Sequence, residues 1–105
     1  MWIEQDTLHL FYSRADYTPE RILVTRIDLL RPWKQWTTTQ EEVVLEPERV
    51  WEGVCLPRQV SRWDAARTPV HQLRDPAIYV EDDDLYLLYG GAGETNLAIA
   101  RLHLK

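Results

Sequence analysis

Apolar and polar residues alternate with a period of two in several short segments of the chain, which is the pattern of half-buried β-strands. In residues 7–13, for example, Leu8, Leu10 and Tyr12 fall on one face of such a strand. Further strands are predicted at residues 21–29, 43–45, 77–80, 85–89 and 97–104. No segment has a convincing helical period, and only residues 61–67 would fit one short helical turn. The pattern predicts an all-β fold.

The first and last parts of the chain repeat each other. At an offset of 77 residues, five of the nine positions in residues 4–12 are identical to those in residues 81–89. After a length change of two residues in the turn, residues 22–29 align with residues 97–104 at an offset of 75. A repeat of this length, built of antiparallel strands, predicts about two blades of the four-stranded type found in β-propellers. The alternative is that two amphipathic hairpins are alike by chance.

The two copies differ at their ends. The triplet Arg74-Asp75-Pro76 has no counterpart in the first copy, and the strand predicted near residues 42–46 has none in the second. We interpret the chain as a single domain over residues 1–105, with a first blade-like repeat at 1–50, a connecting segment at 51–73 and a second blade-like repeat at 74–105. Such partial blades would have open strand edges, which soluble proteins normally pair or cover. This predicts either a homo-oligomer formed through those edges or a fragment of a longer protein.

Composition and charge narrow the classes of function. A length of 105 residues is typical of one domain. The net charge of −5 and the scattered basic residues argue against a nucleic-acid partner, which requires clustered Lys and Arg. No apolar run approaches the roughly 20 residues of a membrane span, and the N-terminus lacks the pattern of a signal peptide. Cys55 is the single cysteine, so an internal disulfide is impossible and a reducing, cytoplasmic location is expected. CxxC and Cys/His zinc spacings are absent, so no metal or cofactor is predicted.

Two sequence stretches resemble a known family. They are "WEGVCLP" at residues 51–57 and "HQLRDPAIYVEDDDLYLLYGGAGETNLAIARL" at residues 71–102. Together they resemble the C-terminal part of the five-bladed propellers of glycoside hydrolase families 43 and 32, in which Arg-Asp-Pro opens an inner strand. Residues 2–50 resemble the preceding blade, so the resemblance covers the last two blades only.

The resemblance implies a carbohydrate partner and, for the whole family fold, hydrolysis of O-glycosyl bonds by carboxylates from different blades. A proton donor for the leaving oxygen and a carboxylate near the ring are what an oxocarbenium-like transition state requires. By this resemblance Asp75 would stabilise the transition state, and Arg74 would be its charged neighbour. Glu52 resembles the general acid of a Glu-Gly-Pro motif, with Val54 in place of the proline. The motif of the nucleophile or base has no match, so we expect a partial propeller that is not catalytic as a single chain.

Other residues near these motifs are candidates for sugar binding. Trp51 and Trp63 flank the connecting segment, and aromatic faces stack on sugar rings. His71 lies close to the Arg-Asp-Pro triplet in sequence, and Glu94 closes the Gly-rich corner after the second strand. Each has a structural alternative, such as packing for the tryptophans and a hydrogen bond to a backbone amide for Glu94.

Asp75 and Arg74 also have structural alternatives. An Asp before Pro often accepts hydrogen bonds from the backbone at a strand entrance, and Arg74 would then form an ion pair with a neighbouring acid. The four acids at residues 81–84 are interpreted as a solvated hairpin tip rather than a calcium loop, which needs alternating ligands and a glycine.

Two rival functions remain open from the sequence. One is a non-catalytic, self-associating protein-interaction module in which the carboxylates are remnants. The other is hydrolase activity created at a subunit interface, with the missing carboxylate supplied by a neighbouring chain. The sequence therefore leaves open whether the chain is an enzyme.

Overall fold

A computed structural model describes residues 1–15, 19–56 and 68–103, and in these residues the regular structure consists of strands and two 3₁₀ turns. The strands are β1 (Trp2–Glu4), β2 (Thr7–Ser13), β3 (Ile22–Asp28), β4 (Glu42–Leu45), β5 (Arg74–Glu81), β6 (Asp84–Gly91) and β7 (Asn96–Leu102). The 3₁₀ turns cover Trp33–Gln35 and Val50–Glu52. The prediction of an all-β fold is confirmed. The short helical turn predicted at residues 61–67 lies outside the described residues.

The strands form two open antiparallel sheets, each in the order of the sequence. Sheet 1 has the order β1-β2-β3-β4 and sheet 2 the order β5-β6-β7. Adjacent antiparallel strands need only tight turns between them, and the β5–β6 hairpin is closed by Asp82 and Asp83 with Glu81 paired to Asp84. Residues 81–83 are exposed. The sheet edges among the described residues are β1 and β4 in sheet 1, and β5 and β7 in sheet 2.

The two segments that repeat in the sequence occupy matching strands. The offset of 77 places β2 on β6, and the offset of 75 places β3 on β7. Strand β1, which has three residues, is too short to show a period of two and was not predicted. Strand β5 begins at Arg74, three residues before the predicted start, because a β-bulge between Arg74 and Ala77 accommodates Pro76.

The hydrophobic core lies between the two sheets, where β2 lies against β5. We call the side of sheet 1 that carries Phe11, Ile22 and Val24 face A of that sheet. We call the side of sheet 2 that carries Leu87 and Tyr89 face B of that sheet. Partly buried apolar residues close the core at its margin: Trp2, Val44, Leu45, Ile78, Ala98, Ala100 and Leu102. Full burial of an aliphatic side chain contributes about 1.5–3 kcal/mol, so this interface is the main source of stability.

Backbone hydrogen bonds join four segments of the chain at the end of the core where β5 begins. The amide of Leu73 donates to the carbonyl of Glu20 at 2.8 Å, which ties the start of β5 to the segment before β3. The amide of Ala92 donates to the carbonyl of Glu52 at 3.0 Å, and the amide of Gly93 to that of Gln72 at 2.9 Å. These bonds place the 3₁₀ turn at Val50–Glu52 and the β6–β7 corner beside the Arg-Asp-Pro triplet.

Across the parts of the chain that the structure describes, no helix has the length and apolar character needed to cross a membrane.

Candidate functional site

Arg74 is the centre of a polar cluster at the start of β5. Its side chain is buried, because β5 enters the core at this point. The guanidinium donates from Nε and Nη2 to Oε1 of Gln72, at 3.1 and 2.9 Å. Its Nε also lies 2.7 Å from Oε2 of Glu20, and its Nη1 lies 3.5 Å from Oε1 of Glu94. A guanidinium is suited to such a cluster because it presents several donors in a fixed plane.

Glu20 is the buried carboxylate of this cluster, with 5% of its surface exposed. Its Oε2 receives no well-aligned hydrogen bond, so its contact with Arg74 is an ion pair rather than a directed bond. Burial raises the pKa of Glu20, and the nearby charges of Asp75 and Glu94 raise it further. Arg74 and a hydrogen bond with Ser13 oppose this rise in pKa. Desolvation therefore exceeds the attraction of the guanidinium.

Asp75 lies at the surface beside this buried cluster. Its φ of 55° is in the left-handed region, and the register of β5 against β6 shifts between Arg74 and Ala77. Few non-glycine residues adopt this conformation, although Asp tolerates it better than most. Bulges of this kind re-aim a side chain and are frequent next to functional sites. Asp75 is thus an accessible carboxylate that is fixed to a strand rather than to a loop.

Glu52 is buried, whereas a general acid that meets a substrate would be exposed. It ends the 3₁₀ turn at Val50–Glu52 and has only 2% of its surface exposed. Its Oε1 accepts hydrogen bonds from the amides of Glu48 and Arg49, at 3.0 and 2.9 Å. Its Oε2 accepts the hydroxyl of Tyr89 at 2.6 Å. Both carboxylate oxygens are therefore engaged in holding the turn against β6.

Tyr89 completes this arrangement from face B of sheet 2. Burial raises the pKa of the Tyr89 hydroxyl, and so does the hydrogen bond to Glu52. The hydroxyl consequently remains a proton donor to the carboxylate throughout the neutral range. The buried carboxylate is stabilised by three hydrogen-bond donors, which is the condition under which an ionised group is tolerated in a core.

Trp51 provides an aromatic surface next to Glu52. Its side chain is 48% exposed, and its ring stacks on Tyr89 with the ring centres 6.5 Å apart. The side-chain amide of Asn96 donates to the carbonyl of Trp51 at 2.6 Å, which fixes the turn to the start of β7. The Trp51 ring lines an open groove of about 440 Å³ together with residues 96–99. The groove is mostly apolar because Leu97 and Ile99 form its wall.

The remaining predicted residues take separate positions. His71 is buried, and its Nδ1 lies 3.1 Å from the carbonyl oxygen of Leu56, which accepts a hydrogen bond when Nδ1 carries the proton. Glu94 is exposed on the β6–β7 corner and contacts Arg74. Trp63 lies outside the described residues. Within residues 1–15, 19–56 and 68–103, no three His, Cys, Asp or Glu side chains are arranged to hold a metal ion.

The structure therefore groups the predicted residues into two sets. Arg74, Asp75 and Glu94 form one cluster, and Glu20 belongs to it although no sequence pattern indicates that residue. Trp51 and Glu52 form the other set through Tyr89. The backbone bond between Ala92 and Glu52 links the two sets at the same end of the core.

Comparison with known proteins gives one relative and no family. An uncharacterised protein of Acanthamoeba polyphaga mimivirus, R118, is 37% identical to this chain over 98 residues. The match covers 92% of this chain but only 28% of the viral protein. The chain therefore spans less than a third of the length of this relative. No protein-family model matches the chain, and no solved structure matches it.

Proposed function

We propose that the chain is part of a glycoside-hydrolase-like β-propeller, that it binds carbohydrate at the Arg74–Asp75 end of its core, and that it does not catalyse hydrolysis alone. Two antiparallel sheets whose strands repeat at offsets of 77 and 75 residues support the interpretation as blades. Since the 98 matched residues are 28% of the viral relative, that protein is about 350 residues long, which is enough for four such repeats.

The observation that carries this proposal is the exposed carboxylate of Asp75 on a bulge next to the buried Arg74 cluster. A carboxylate accepts hydrogen bonds from pairs of sugar hydroxyls, and its strength as a binding group depends on being held in one geometry. The ion pair of Arg74 with Glu20 and its bonds to Gln72 anchor the residue immediately before Asp75. Glu94, which is also exposed and contacts Arg74, adds a second acceptor at the same place.

The contacts of Glu52 support binding rather than catalysis. Hydrolysis of a glycosidic bond needs one carboxyl that donates a proton and a second on the other side of the ring. Both oxygens of Glu52 are used within the fold, and Glu20 is buried against Arg74. A sugar ligand would thus meet the carboxylates of Asp75 and Glu94 but no free, proton-donating partner among the described residues.

The experiment is a binding titration against a panel of neutral and acidic oligosaccharides, monitored by NMR and by calorimetry. Asp75→Asn keeps the size of the side chain and removes its charge. Asp82→Asn is a matched control, because Asp82 is also exposed and has a φ of 53° but lies in the hairpin turn. We expect Asp75→Asn to weaken sugar binding at least tenfold, which corresponds to about 1.4 kcal/mol, while Asp82→Asn binds as the wild type does.

A chain that binds carbohydrate without catalysis should also leave glycosidic bonds intact. Aryl-glycosides should not be hydrolysed by the wild-type chain, although the same preparation binds oligosaccharide. If no carbohydrate of the panel binds, or if binding survives Asp75→Asn unchanged, the carbohydrate proposal is incorrect. Hydrolysis by the single chain that is lost in Asp75→Asn would instead make it an enzyme.

A further inference from the structure

Strand β7 is an edge of sheet 2, with no neighbouring strand on its outer side among the described residues. It is seven residues long and pairs with β6 without a register shift, so one row of its backbone amides and carbonyls faces outward. An edge of this kind can pair with an extended segment of another polypeptide. Its exposed side chains favour such pairing, because Leu97 and Ile99 are apolar and 77% and 58% exposed.

An open groove follows this edge. It has a volume of about 440 Å³ and is lined by Trp51 and by four consecutive residues of β7, residues 96–99. Successive side chains of a strand point to opposite sides of the sheet, so a groove that touches four in a row runs along the edge. Trp51 lines it on face B, since its ring stacks on Tyr89 and Tyr89 is paired with Ala98. The side-chain amide of Asn96 donates to the carbonyl of Trp51 at 2.6 Å, which holds this residue beside β7.

The repeat indicates the kind of strand that this edge accepts. At the offsets of 77 and 75 residues, β6 corresponds to β2 and β7 to β3. The edge of β3 that faces away from β2 pairs with β4, so the outer edge of β7 is the counterpart of an edge that is paired in sheet 1. Strand β4 has the sequence Glu-Val-Val-Leu over Glu42–Leu45.

The register of β3 against β4 gives the side-chain pairs of such a complex. Leu45 and Val43 pair with two residues of β3 whose counterparts at the offset of 75 are Leu97 and Ala98. A leucine of the added strand would therefore cover Leu97, and a valine opposite Ala98 would enter the groove next to Trp51. Cross-strand contacts of β-branched and aromatic side chains stabilise a sheet. One strand of the β4 type would thus use both the exposed leucine and the groove.

Charge favours an acidic residue in this strand. In sheet 1, Arg26 lies 3.3 Å from a carboxylate oxygen of Glu42 in β4. The counterpart of Arg26 is Arg101, whose side chain is 56% exposed. Arg101 contacts Asp84 through Nη2, and a guanidinium has further N–H donors for a second carboxylate. A second copy of the chain is less suitable as the source of the acid, because its Glu42 is already paired with its own Arg26.

We propose that the outer edge of β7 binds an extended segment of another protein that carries the β4 pattern, a glutamate followed by aliphatic residues, in antiparallel orientation. The segment adds a fourth strand to sheet 2, as β4 does to sheet 1. Main-chain hydrogen bonds to β7 supply the affinity, and the leucine, valine and glutamate positions supply the specificity. This contact is independent of the carbohydrate proposal, because neither Arg74 nor Asp75 takes part.

The test titrates the full chain with a blocked synthetic peptide of residues 40–46, Gln-Glu-Glu-Val-Val-Leu-Glu, and follows the backbone amides by NMR. We expect saturable binding that shifts the amides of residues 96–99. Leu97→Glu removes an apolar contact and adds a repelling charge, so this variant should bind the peptide at least tenfold more weakly. Leu30→Glu is the matched control, since Leu30 is 74% exposed in the turn after β3, and it should bind as the wild type does. Circular dichroism establishes that each variant keeps its strands.

Two modified peptides test the geometry of the complex. In an antiparallel pair every second amide of a strand points at its partner. Methylation of the backbone nitrogen of either Glu42 or Val43 in the peptide should therefore abolish binding in one case only. Glu42→Lys in the peptide should weaken binding to the wild type at least threefold, and the Arg101→Glu chain should bind this altered peptide more tightly than the wild type does.

A second copy of the chain is the alternative occupant of the edge. Sedimentation equilibrium should give the same mass for the wild type and for Leu97→Glu, because the edge is open in both. A wild-type dimer that Leu97→Glu disperses would identify a second copy as the occupant and would overturn the proposal. Absence of peptide binding, an unaffected Leu97→Glu chain, or equal effects of the two methylated peptides would also overturn it.

Discussion

Tyr89 donates a 2.6 Å hydrogen bond from its hydroxyl to Oε2 of Glu52, which joins β6 to a 3₁₀ turn 37 residues earlier in the chain. Both residues are buried, with 3% and 2% of their surfaces exposed. The other carboxylate oxygen of Glu52 accepts two backbone amides of the turn. Glu52 therefore connects the segment between the sheets to sheet 2, and these contacts give it a structural role.

Replacement of Tyr89 by Phe should lower the free energy of unfolding by about 1–3 kcal/mol, because Oε2 of the buried Glu52 then loses its donor. Tyr86→Phe is the control, since the Tyr86 hydroxyl is only half-buried and lies 3.5 Å from Asp84. Tyr86→Phe should change the free energy of unfolding by no more than about 0.5 kcal/mol, which is usual for substitutions at exposed positions. Urea denaturation of both variants measures the difference. Equal losses in the two variants would contradict the structural role of Glu52.

Glu20 should make the protein less stable as the pH rises. Because the pKa of Glu20 is raised from 4.5, the folded state binds more protons than the unfolded state above pH 4.5, and stability falls as the pH rises through the folded-state pKa. The slope from one such group is at most about 1.4 kcal/mol per pH unit. Glu20→Gln should remove this fall, which urea denaturation from pH 4 to pH 8 will measure. Glu81→Gln, at an exposed position in β5, should keep the slope of the wild type.

The groups that set this slope are Arg74, Asp75, Glu94 and Ser13, which surround Glu20. Their effects on the pKa of Glu20 have opposite signs, since Arg74 and Ser13 lower it and the two acids raise it. A slope that is unchanged in Glu20→Gln would show that the pKa of Glu20 is the same in the folded and unfolded states, so that the ion pair with Arg74 offsets the burial of the carboxyl.

His9 should have the opposite dependence on pH. Burial and the charge of Arg26 lower the pKa of His9 below 6.5, with a smaller opposing effect of Glu4, so the folded state prefers the neutral imidazole. Its contribution to stability is present above pH 6.5 and is lost as the pH falls through the lowered pKa. Its Nδ1 is buried without a hydrogen-bond partner, and the ring packs on Trp2 at 5.2 Å.

His9→Phe keeps a ring against Trp2 but cannot titrate, so the loss of stability between pH 6.5 and pH 4.5 should become smaller than in the wild type. Thermal unfolding at a series of pH values measures this change. His103→Phe replaces an exposed histidine and should follow the wild-type curve. If both variants change the pH dependence equally, His9 is not the group responsible.

The strands were more predictable from the sequence than the polar contacts. In β6 the alternation of the sequence agrees with burial, since Leu85, Leu87 and Tyr89 are buried. In β2 the alternation indicates a strand but not its buried face, because His9 and Phe11 are buried while Leu8, Leu10 and Tyr12 are half-buried. The burial of Glu20 depends on Arg74, which is distant in the chain, and no local pattern indicates it. The sequence marked Glu52 as a candidate acid, but the use of both its oxygens depends on Tyr89 and on the geometry of one turn.

The backbone at Asp75 leads to a prediction that separates stability from binding. A φ of 55° disfavours residues with a side chain by roughly 1–2 kcal/mol, and glycine is free of this cost. Asp75→Gly should therefore leave the free energy of unfolding unchanged or raise it by up to about 1 kcal/mol. Glu81→Gly, at a position of β5 with a negative φ, should instead lower it by about 0.5–1 kcal/mol. Chemical denaturation of the two variants compares these signs, and a titration with oligosaccharide should show that Asp75→Gly has lost binding while remaining folded. A marked loss of stability in Asp75→Gly would mean that the Asp75 carboxylate supports the fold, and its proposed role as a free binding group would then be wrong.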